Sequence, residues 1–210
     1  MNEILFFAHI LLVVFFVMVG LRMGALALTT LIAMQAVFAN LFVVKQMTLF
    51  GLNVTCSDVF AVGGILSLNL LQEFFGREAA KKAIAISFLA LIFFAAMTQV
   101  HLFYTPSAND SMHGSFLQIF SSTPRIIFAS IAVFFIVQQV DLRFFGWLRG
   151  KLGLRLIYSL LLSQTLDTFL FSFFGLYGII SPLFDIILVS LLIKYLAIAV
   201  TTPFFRKAHV

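Results

Sequence analysis

The sequence predicts an all-α polytopic membrane protein, a helical bundle of about seven transmembrane helices in which an N-terminal helix is added to a six-helix core. Hydrophobic residues make up 62% of the 210 residues, charged residues only 10%, and the mean hydropathy is +1.14, which is far more apolar than a soluble domain. The apolar residues form runs long enough for helical spans, not the short alternating segments of an outer-membrane barrel. We therefore expect one transmembrane domain, residues 1–210, solvated by the lipid bilayer.

The first three spans are predicted at residues 4–20, 24–44 and 59–75. The first run lacks the basic start and the small-residue cleavage site of a signal peptide, so we interpret it as a span. A connector at 46–58 contains several turn residues. Two adjacent glycines near the start of the third span allow another helix to pack closely against it.

The remaining four spans are predicted at residues 83–104, 124–141, 156–176 and 182–202. Pro124 suits the first helical position of the fifth span, because its missing N–H is not needed there. The connector that precedes it is the longest and most polar of the chain. The connector that follows the fifth span is strongly basic.

The basic residues of a seven-span chain divide unequally between its two sides. Only Lys45 and Arg125 fall on one side, and Lys194 lies inside the last span. By the positive-inside rule the basic side is cytoplasmic, which places the N-terminus outside and the C-terminus in the cytoplasm, across the bacterial inner membrane. This topology also explains the net charge of +5 without a nucleic-acid partner. The basic side carries Arg22, Arg77, Lys81, Lys82, Arg143, Arg149, Lys151, Arg155, Arg206 and Lys207.

Polar side chains interrupt two of the spans on one helical face each. Asn69, Gln72 and Glu73 are related by i, i+3 and i+4 spacing. In the sixth span, Gln164 and Asp167 are similarly spaced, and Thr168 follows. A carboxylate in the middle of a span costs roughly 2.5 to 3.5 kcal/mol on insertion scales. These groups must therefore face protein, water or a ligand.

Two interpretations of Asp167 stay open at this point. It can form an ion pair with Lys194 or Arg125, or it can line a polar pocket and accept hydrogen bonds from a substrate N–H, with Gln164 as donor and acceptor. Lys194 lies too deep in its span to snorkel, so we expect it to have a buried partner.

Two further carboxylates have simpler interpretations. Asp141 comes three residues after Gln138, but it sits at the basic end of the fifth span, so a solvated charge near Arg143 is favoured. Glu73 can pair with Arg77 at i+4.

The common catalytic signatures are missing from the sequence. It contains no phosphate-binding loop, no H-E-x-x-H and no G-x-S-x-G segment. Cys56 is the single cysteine, so no intrachain disulfide can form. We expect no cofactor, no metal and no enzymatic activity, and a small transporter fits these observations best.

Two segments carry a resemblance to a known family. Residues 69–76, NLLQEFFG, followed by the small and basic residues 79–82, resemble the acid/amide-x-x-Asn-Glu-x-Tyr-Gly segment of the queuosine precursor transporter family, once catalogued as putative vitamin uptake transporters. Residues 163–169, SQTLDTF, resemble that family's Ser-Gln-x-x-Asp-Thr segment. The resemblance covers about residues 30–205. The family often has Asp where Asn69 stands. Like residues of the family also match Asn40, Arg125, Gln138, Asp141 and Lys194.

The resemblance implies import of a 7-deazaguanine base, either queuine or a biosynthetic precursor, for modification of the wobble position of certain tRNAs. Its partners would be this small molecule and the lipid bilayer, with no nucleic acid; homodimer formation stays open. A carboxylate and amides can read the donor–acceptor edge of such a base, and aromatic rings can cover its faces. The predicted substrate-binding residues are Asn40, Asn69, Gln72, Glu73, Arg125, Gln138, Gln164, Asp167, Thr168 and Lys194.

Two other functions compete with import by the chain alone. The chain can be the substrate-binding membrane subunit of an energy-coupling-factor-type vitamin transporter, because such subunits are of similar size and bind small vitamins inside a helical bundle. It can also be a membrane scaffold whose polar residues only hold helices together. A membrane enzyme comes last.

The predicted topology is tested by a reporter fused after Val210. A fluorescent protein that folds only in the cytoplasm should be bright, and alkaline phosphatase, which is active only outside, should be inactive. The opposite pair of signals would exclude the seven-span topology with a cytoplasmic C-terminus.

Overall fold

The computed structural model describes residues 1–120, 124–178 and 183–205 of the chain. Most of these residues are helical, and one short antiparallel hairpin is the sheet in the described part. The elements are α1 (Asn2–Met23), α2 (Ala25–Phe42), β1 (Gln46–Leu49), β2 (Leu52–Thr55), α3 (Asp58–Phe75), α4 (Arg77–Leu102), α5 (His113–Phe120), α6 (Pro124–Trp147), α7 (Leu152–Phe171), a π-helical turn (Ser172–Leu176), α8 (Leu183–Thr201) and a 3₁₀ turn (Thr202–Phe205).

Seven of the described helices are long and apolar enough to cross a membrane: α1, α2, α3, α4, α6, α7 and α8. The prediction of an all-α polytopic membrane protein is thereby confirmed. Several helices are longer than the apolar runs that predicted them, because helices continue past the hydrocarbon boundary into polar surroundings. Helix α4 already begins at Arg77, α6 extends to Trp147, and α7 begins at Leu152.

The connectors contain structure that the sequence did not predict. Residues 46–55 form the β1–β2 hairpin, which turns at Phe50 and Gly51, both with positive φ. The amino end of α1 is hydrogen-bonded to it, because Asn2 donates to the Thr48 carbonyl at 2.9 Å and Glu3 accepts from the Phe50 N–H at 3.3 Å. In the polar connector after α4, residues 113–120 form the short helix α5.

Helix α3 occupies the centre of the bundle. Of its residues 72% are buried, compared with at most 39% in any other described span. It packs against α1, α2, α4, α6, α7 and α8. Since a helix surrounded by protein has no lipid-facing side, α3 can carry polar side chains that would be too costly on an outer helix.

The outer helices bury one stripe each and present apolar side chains to lipid. On α1 the exposed residues include Leu5, Leu12 and Phe16, as expected where hydrocarbon is the solvent. The stripe of α1 that faces the bundle follows i+3 and i+4 spacing and consists of Phe6, Ile10, Val14, Val17 and Leu21.

Helix α3 is separated from α4 by a single glycine. Gly76 has φ 88°, in the region that favours glycine, and both helices end at it. Because the helix breaks here, Glu73 and Arg77 do not lie on one continuous helix and the i+4 geometry expected for them does not arise.

Gly63 lets α3 approach α1 and α2 closely. A Cβ at this position would lie 2.1 Å from Oε1 of Gln35 and 2.6 Å from Cγ1 of Val13. The Gln35 side chain cannot easily move away, because its Nε2 donates to Oγ of Ser67 at 3.1 Å. At the adjacent Gly64 a Cβ would meet only the Gln35 Cβ, at 4.0 Å.

Gly63→Ala should therefore destabilise the bundle, and Gly64→Ala should not. Both variants gain the same helix propensity, so their difference isolates the clash, which we expect to cost about 1 to 3 kcal/mol. The check is thermal unfolding of each purified variant in detergent, followed by circular dichroism. Equal Tm values would show that α1 and α2 do not pack against α3 at Gly63.

Candidate functional site

A row of polar side chains, buried along most of its length, runs between α3 and its neighbours α6, α7 and α8. We call it the polar seam. Helices α3 and α7 are antiparallel, because Glu73 near the end of α3 meets Arg155 at the start of α7, and Gln164 further along α7 meets Ala61 near the start of α3. The seam comprises Asp58, Asn69, Gln72, Glu73, Gln138, Asp141, Arg155, Ser159, Ser163, Gln164, Asp167, Thr168 and Lys194.

One end of the seam, the lysine end, is built around Lys194 of α8. Its Nζ donates to Asp167 Oδ2 at 2.6 Å and to Thr168 Oγ1 at 3.0 Å. The Lys194 side chain is only 5% exposed, which confirms the expectation of a buried partner. Asp167 is thus held in an ion pair, although 27% of its side chain is exposed.

A second carboxylate at the lysine end comes from Asp58, the first residue of α3. Its Oδ1 lies 3.9 Å from Lys194 Nζ and accepts a long hydrogen bond from Ser190 at 3.4 Å. The sequence had placed Asp58 at the end of a connector. In the structure it is buried, and Ser190 and Lys194 of α8 lie against it.

The centre of the seam is built around Asp141 of α6. Its Oδ1 accepts hydrogen bonds from Ser159 at 2.5 Å and from Ser163 at 2.6 Å, both on α7. Asp141 is completely buried. The interpretation of Asp141 as a solvated charge near Arg143 is therefore wrong: α6 continues for six residues beyond Asp141, which keeps this carboxylate inside the bundle.

Two carboxamides lie beside this carboxylate without partners of their own. Asn69 adjoins Asp141 across the α3–α6 contact, and Gln138 is one helical turn before Asp141. Both residues are 0% exposed. The Asn69 amide lies beside Asp141 without forming a hydrogen bond of normal length, and the Gln138 amide has no partner among the described residues. Oδ2 of Asp141 is also buried and unpaired. An unsatisfied buried polar group costs about 1 to 3 kcal/mol, so this centre offers unused donors and acceptors.

Gln164 connects the centre to the lysine end. Its Nε2 donates to the Ala61 carbonyl of α3 at 3.1 Å, while its Oε1 is buried and has no partner among the described residues. One acceptor therefore remains available at this level of the seam.

The opposite end, the arginine end, is an ion pair between α3 and α7. Nη1 of Arg155 donates to Glu73 Oε2 at 2.6 Å, and the guanidinium stacks over the Phe145 ring at 4.4 Å from its centroid. Arg155 lies 82 residues from Glu73 in sequence, so this pair, not the local pair with Arg77, is the one that forms. Gln72 packs beside Gly146, with its Oε1 buried and unpaired.

The structure places most, but not all, predicted binding residues along the seam. Asn40 lies elsewhere, where its Nδ2 donates to the Ala36 carbonyl and its Oδ1 accepts from Ser130 of α6. The side chain of Arg125 lies outside the described residues. The predicted residues in the seam are Asn69, Gln72, Glu73, Gln138, Gln164, Asp167, Thr168 and Lys194.

The two carboxylates that the sequence offered for one base are far apart. Asp58 and Glu73 are the two ends of the seam on α3, and fifteen residues of helix rise about 22 Å. Since Asp167 lies near Asp58, a single base cannot contact Asp167 and Glu73 together.

The centre of the seam is closed to solvent in this structure. Asn69, Gln138 and Gln164 are at most 1% exposed. A large cleft of about 620 Å³ lies elsewhere, between α4 and α5, with a mostly apolar lining that includes Phe93, Met97 and Phe116. Access to the seam therefore requires helices to separate.

Sequence reasoning missed Arg155, Ser159 and Ser163 as seam residues. One signal was present, because they are spaced i, i+4 and i+8 and hence form one stripe of α7. No signal pointed to Asp58, whose burial depends on elements distant in sequence. The described residues contain no group of three or more His, Cys, Asp or Glu that would hold a metal ion.

Seven apolar helices packed around a row of donors and acceptors are the arrangement expected of a polytopic membrane transport protein. The family model described as "Putative vitamin uptake transporter" matches residues 55–208. The chain belongs to this family, which confirms the resemblance seen in the sequence and the expectation of a transporter and not an enzyme.

A curated relative extends the similarity beyond the family model. The chain is 29% identical over 194 residues to the "Probable queuosine precursor transporter" of Bacillus subtilis (strain 168), covering 88% of this chain and 84% of that protein. No solved structure matches the chain.

Lys194→Met should strongly destabilise the protein, because it leaves Asp167 without its partner in a largely buried place. Breaking such a pair costs about 3 kcal/mol. A matched control is Lys81→Met, which breaks an exposed pair with Glu78 and should leave Tm unchanged. Thermal unfolding in detergent measures both, and equal Tm values for the two variants would contradict the structural role of the lysine end.

Proposed function

We propose that this protein imports a 7-deazaguanine base, queuine or one of its biosynthetic precursor bases, across the bacterial inner membrane, and that the base supplies tRNA modification. The observation that carries the proposal is the set of unpaired donors and acceptors at the centre of the seam. The name of the Bacillus subtilis relative, a probable queuosine precursor transporter, supports the substrate class.

The chemistry of the centre complements the edge of such a base. A guanine-like edge presents adjacent N–H donors and one carbonyl acceptor. Oδ2 of Asp141 accepts from the N–H groups, and the amide N–H₂ of Asn69 or Gln138 donates to the carbonyl. The amide oxygens remain for the exocyclic amino group. An isolated carboxylate would not read the carbonyl, so the two carboxamides are essential to this recognition.

The remaining seam residues act before and after the central binding step. Gln164 and Gln72 each have one unpaired oxygen, on either side of the centre. Asp167 and Glu73 lie at the two ends and contact the base in turn, not at the same time. Thr168 and Lys194 hold Asp167 when the lysine end is closed. Asn40 and Arg125 remain predicted binding residues.

Transport then proceeds by alternate opening of the two ends. Each end is closed by an ion pair between different helices, Lys194 with Asp167 and Arg155 with Glu73. When these helices separate, they lose polar contacts with one another. A bound base would replace some of those contacts and so lower the free-energy cost of separation. Other transporters also bind their substrate near the middle of the bilayer, between helices that move. With the N-terminus outside, the lysine end faces outwards and the arginine end faces the cytoplasm.

Gln138→Leu should weaken binding of the base and stabilise the empty protein. The substitution removes two buried polar atoms that have no described partner, which lowers the cost of folding, yet it also removes a hydrogen-bonding group from the base. We expect binding of labelled queuine to purified protein to weaken about tenfold or more, together with a higher Tm without ligand.

The matched control is Gln139→Leu, the same change one residue further on, at a less buried position. It should leave binding unchanged. Equal binding by the Gln138→Leu variant and the natural protein would exclude the centre as the binding site. Uptake by proteoliposomes that contain this chain alone separates import from the energy-coupling-factor alternative, which requires a second module.

A further inference from the structure

Among the described side chains, the lysine end contains more negative than positive charge. Two carboxylates, Asp58 and Asp167, face one ammonium, that of Lys194, at 3.9 Å and 2.6 Å. The side chains of Asp58 and Lys194 are each 5% exposed. An uncompensated charge in such a place is costly unless a further positive charge is bound.

The geometry shows which carboxylate lacks compensation. Lys194 gives its short hydrogen bond to Asp167, and Thr168 is the other acceptor of its Nζ. Asp58 has only the long contact to Lys194 and a long hydrogen bond from Ser190, and its Oδ2 is buried without a partner among the described residues. The missing positive charge therefore belongs on Asp58.

We propose that Asp58 binds the proton that couples import of the base to the proton gradient. A proton needs one oxygen atom, and Oδ2 of Asp58 supplies it. A sodium ion needs several oxygen ligands, whereas the ammonium of Lys194 already occupies the position between the two carboxylates, and the described residues contain no group of three ligands typical of a metal site. This inference rests on the proposed function for the identity of the cargo.

The other titratable groups near Asp58 do not remove the need for a proton. Among the described side chains of α7 and α8 they are Asp167 and Lys194. Lys45, which precedes the hairpin, acts on the Cys56 thiol and forms no ion pair with Asp58 in the described part of the chain. In the turn before α3, burial raises the pKa of the Cys56 thiol, so Cys56 is neutral near pH 7. On α1, the ring of His9 packs against the ring of Phe60, at 4.6 Å between centroids, and forms no described ion pair with Asp58.

Protonation of Asp58 controls which carboxylate holds Lys194. When Asp58 is ionised, it competes with Asp167 for the ammonium and weakens the pair that closes the lysine end. When a proton from the outer solution binds Oδ2, Lys194 returns to Asp167 and the end closes behind the base. The proton leaves along the seam when the arginine end opens, so one proton accompanies each neutral base inwards.

The test uses the full chain in proteoliposomes and labelled 7-deazaguanine. With an outer solution one pH unit more acidic than the interior, and with the membrane potential held at zero by potassium and valinomycin, one proton per base should accumulate the base about tenfold. Asp58→Asn should abolish this accumulation and keep counterflow, the exchange of outside label for unlabelled base inside, which needs no coupling ion. Asp58→Glu, which can still carry a proton, should restore part of the accumulation.

The matched control is Asp110→Asn, which makes the same change at an exposed carboxylate of the connector between α4 and α5. It should accumulate the base as the natural protein does. Accumulation by Asp58→Asn equal to that of the natural protein, or accumulation driven by sodium and not by the pH gradient, would overturn the proton site. If the natural protein shows no counterflow of the labelled base, the proposed function is overturned instead.

Discussion

Hydrocarbon offers no hydrogen-bonding partners, so each polar side chain placed inside this chain has to find one within the bundle. That constraint explains the position of α3. A helix that carries Asp58, Asn69 and Glu73 cannot face lipid, and in the structure it is enclosed by six other helices. The outer helices then need only one buried stripe each, and their remaining surface can be apolar. The central helix thus determines the arrangement of the others.

The seam satisfies this constraint at its ends and leaves it unsatisfied at its centre. Ion pairs at both ends use short contacts between different helices, and the serines of α7 bind one oxygen of Asp141. Asn69 and Gln138 have no such partner in the described part of the chain. Natural proteins rarely leave several buried polar groups unpaired in one place, and the proposed recognition of a base would give these groups partners.

The first two helices pack against α3 although the family model begins after them, at residue 55. Gln35 of α2 hydrogen-bonds Ser67 of α3, and the contact at Gly63 brings α1 and α2 against the same helix. These contacts fix the side of α3 that faces away from the seam. The position of the polar face towards α6, α7 and α8 therefore depends on helices outside the matched region.

The sequence by itself determined the class, the number of spans and the positions of most polar side chains. These are local properties. The thickness of the bilayer sets the length of an apolar run, and a polar residue inside a span costs free energy whichever helices surround it. The tertiary structure alone decided which groups meet. Helical spacing relates only residues of the same helix, so it predicted Arg77 as the partner of Glu73. In the structure the partner is Arg155, because α7 packs against α3. For the same reason the burial of Asp141 and the meeting of Asp58 with Lys194 became visible only when α3, α6, α7 and α8 were packed together.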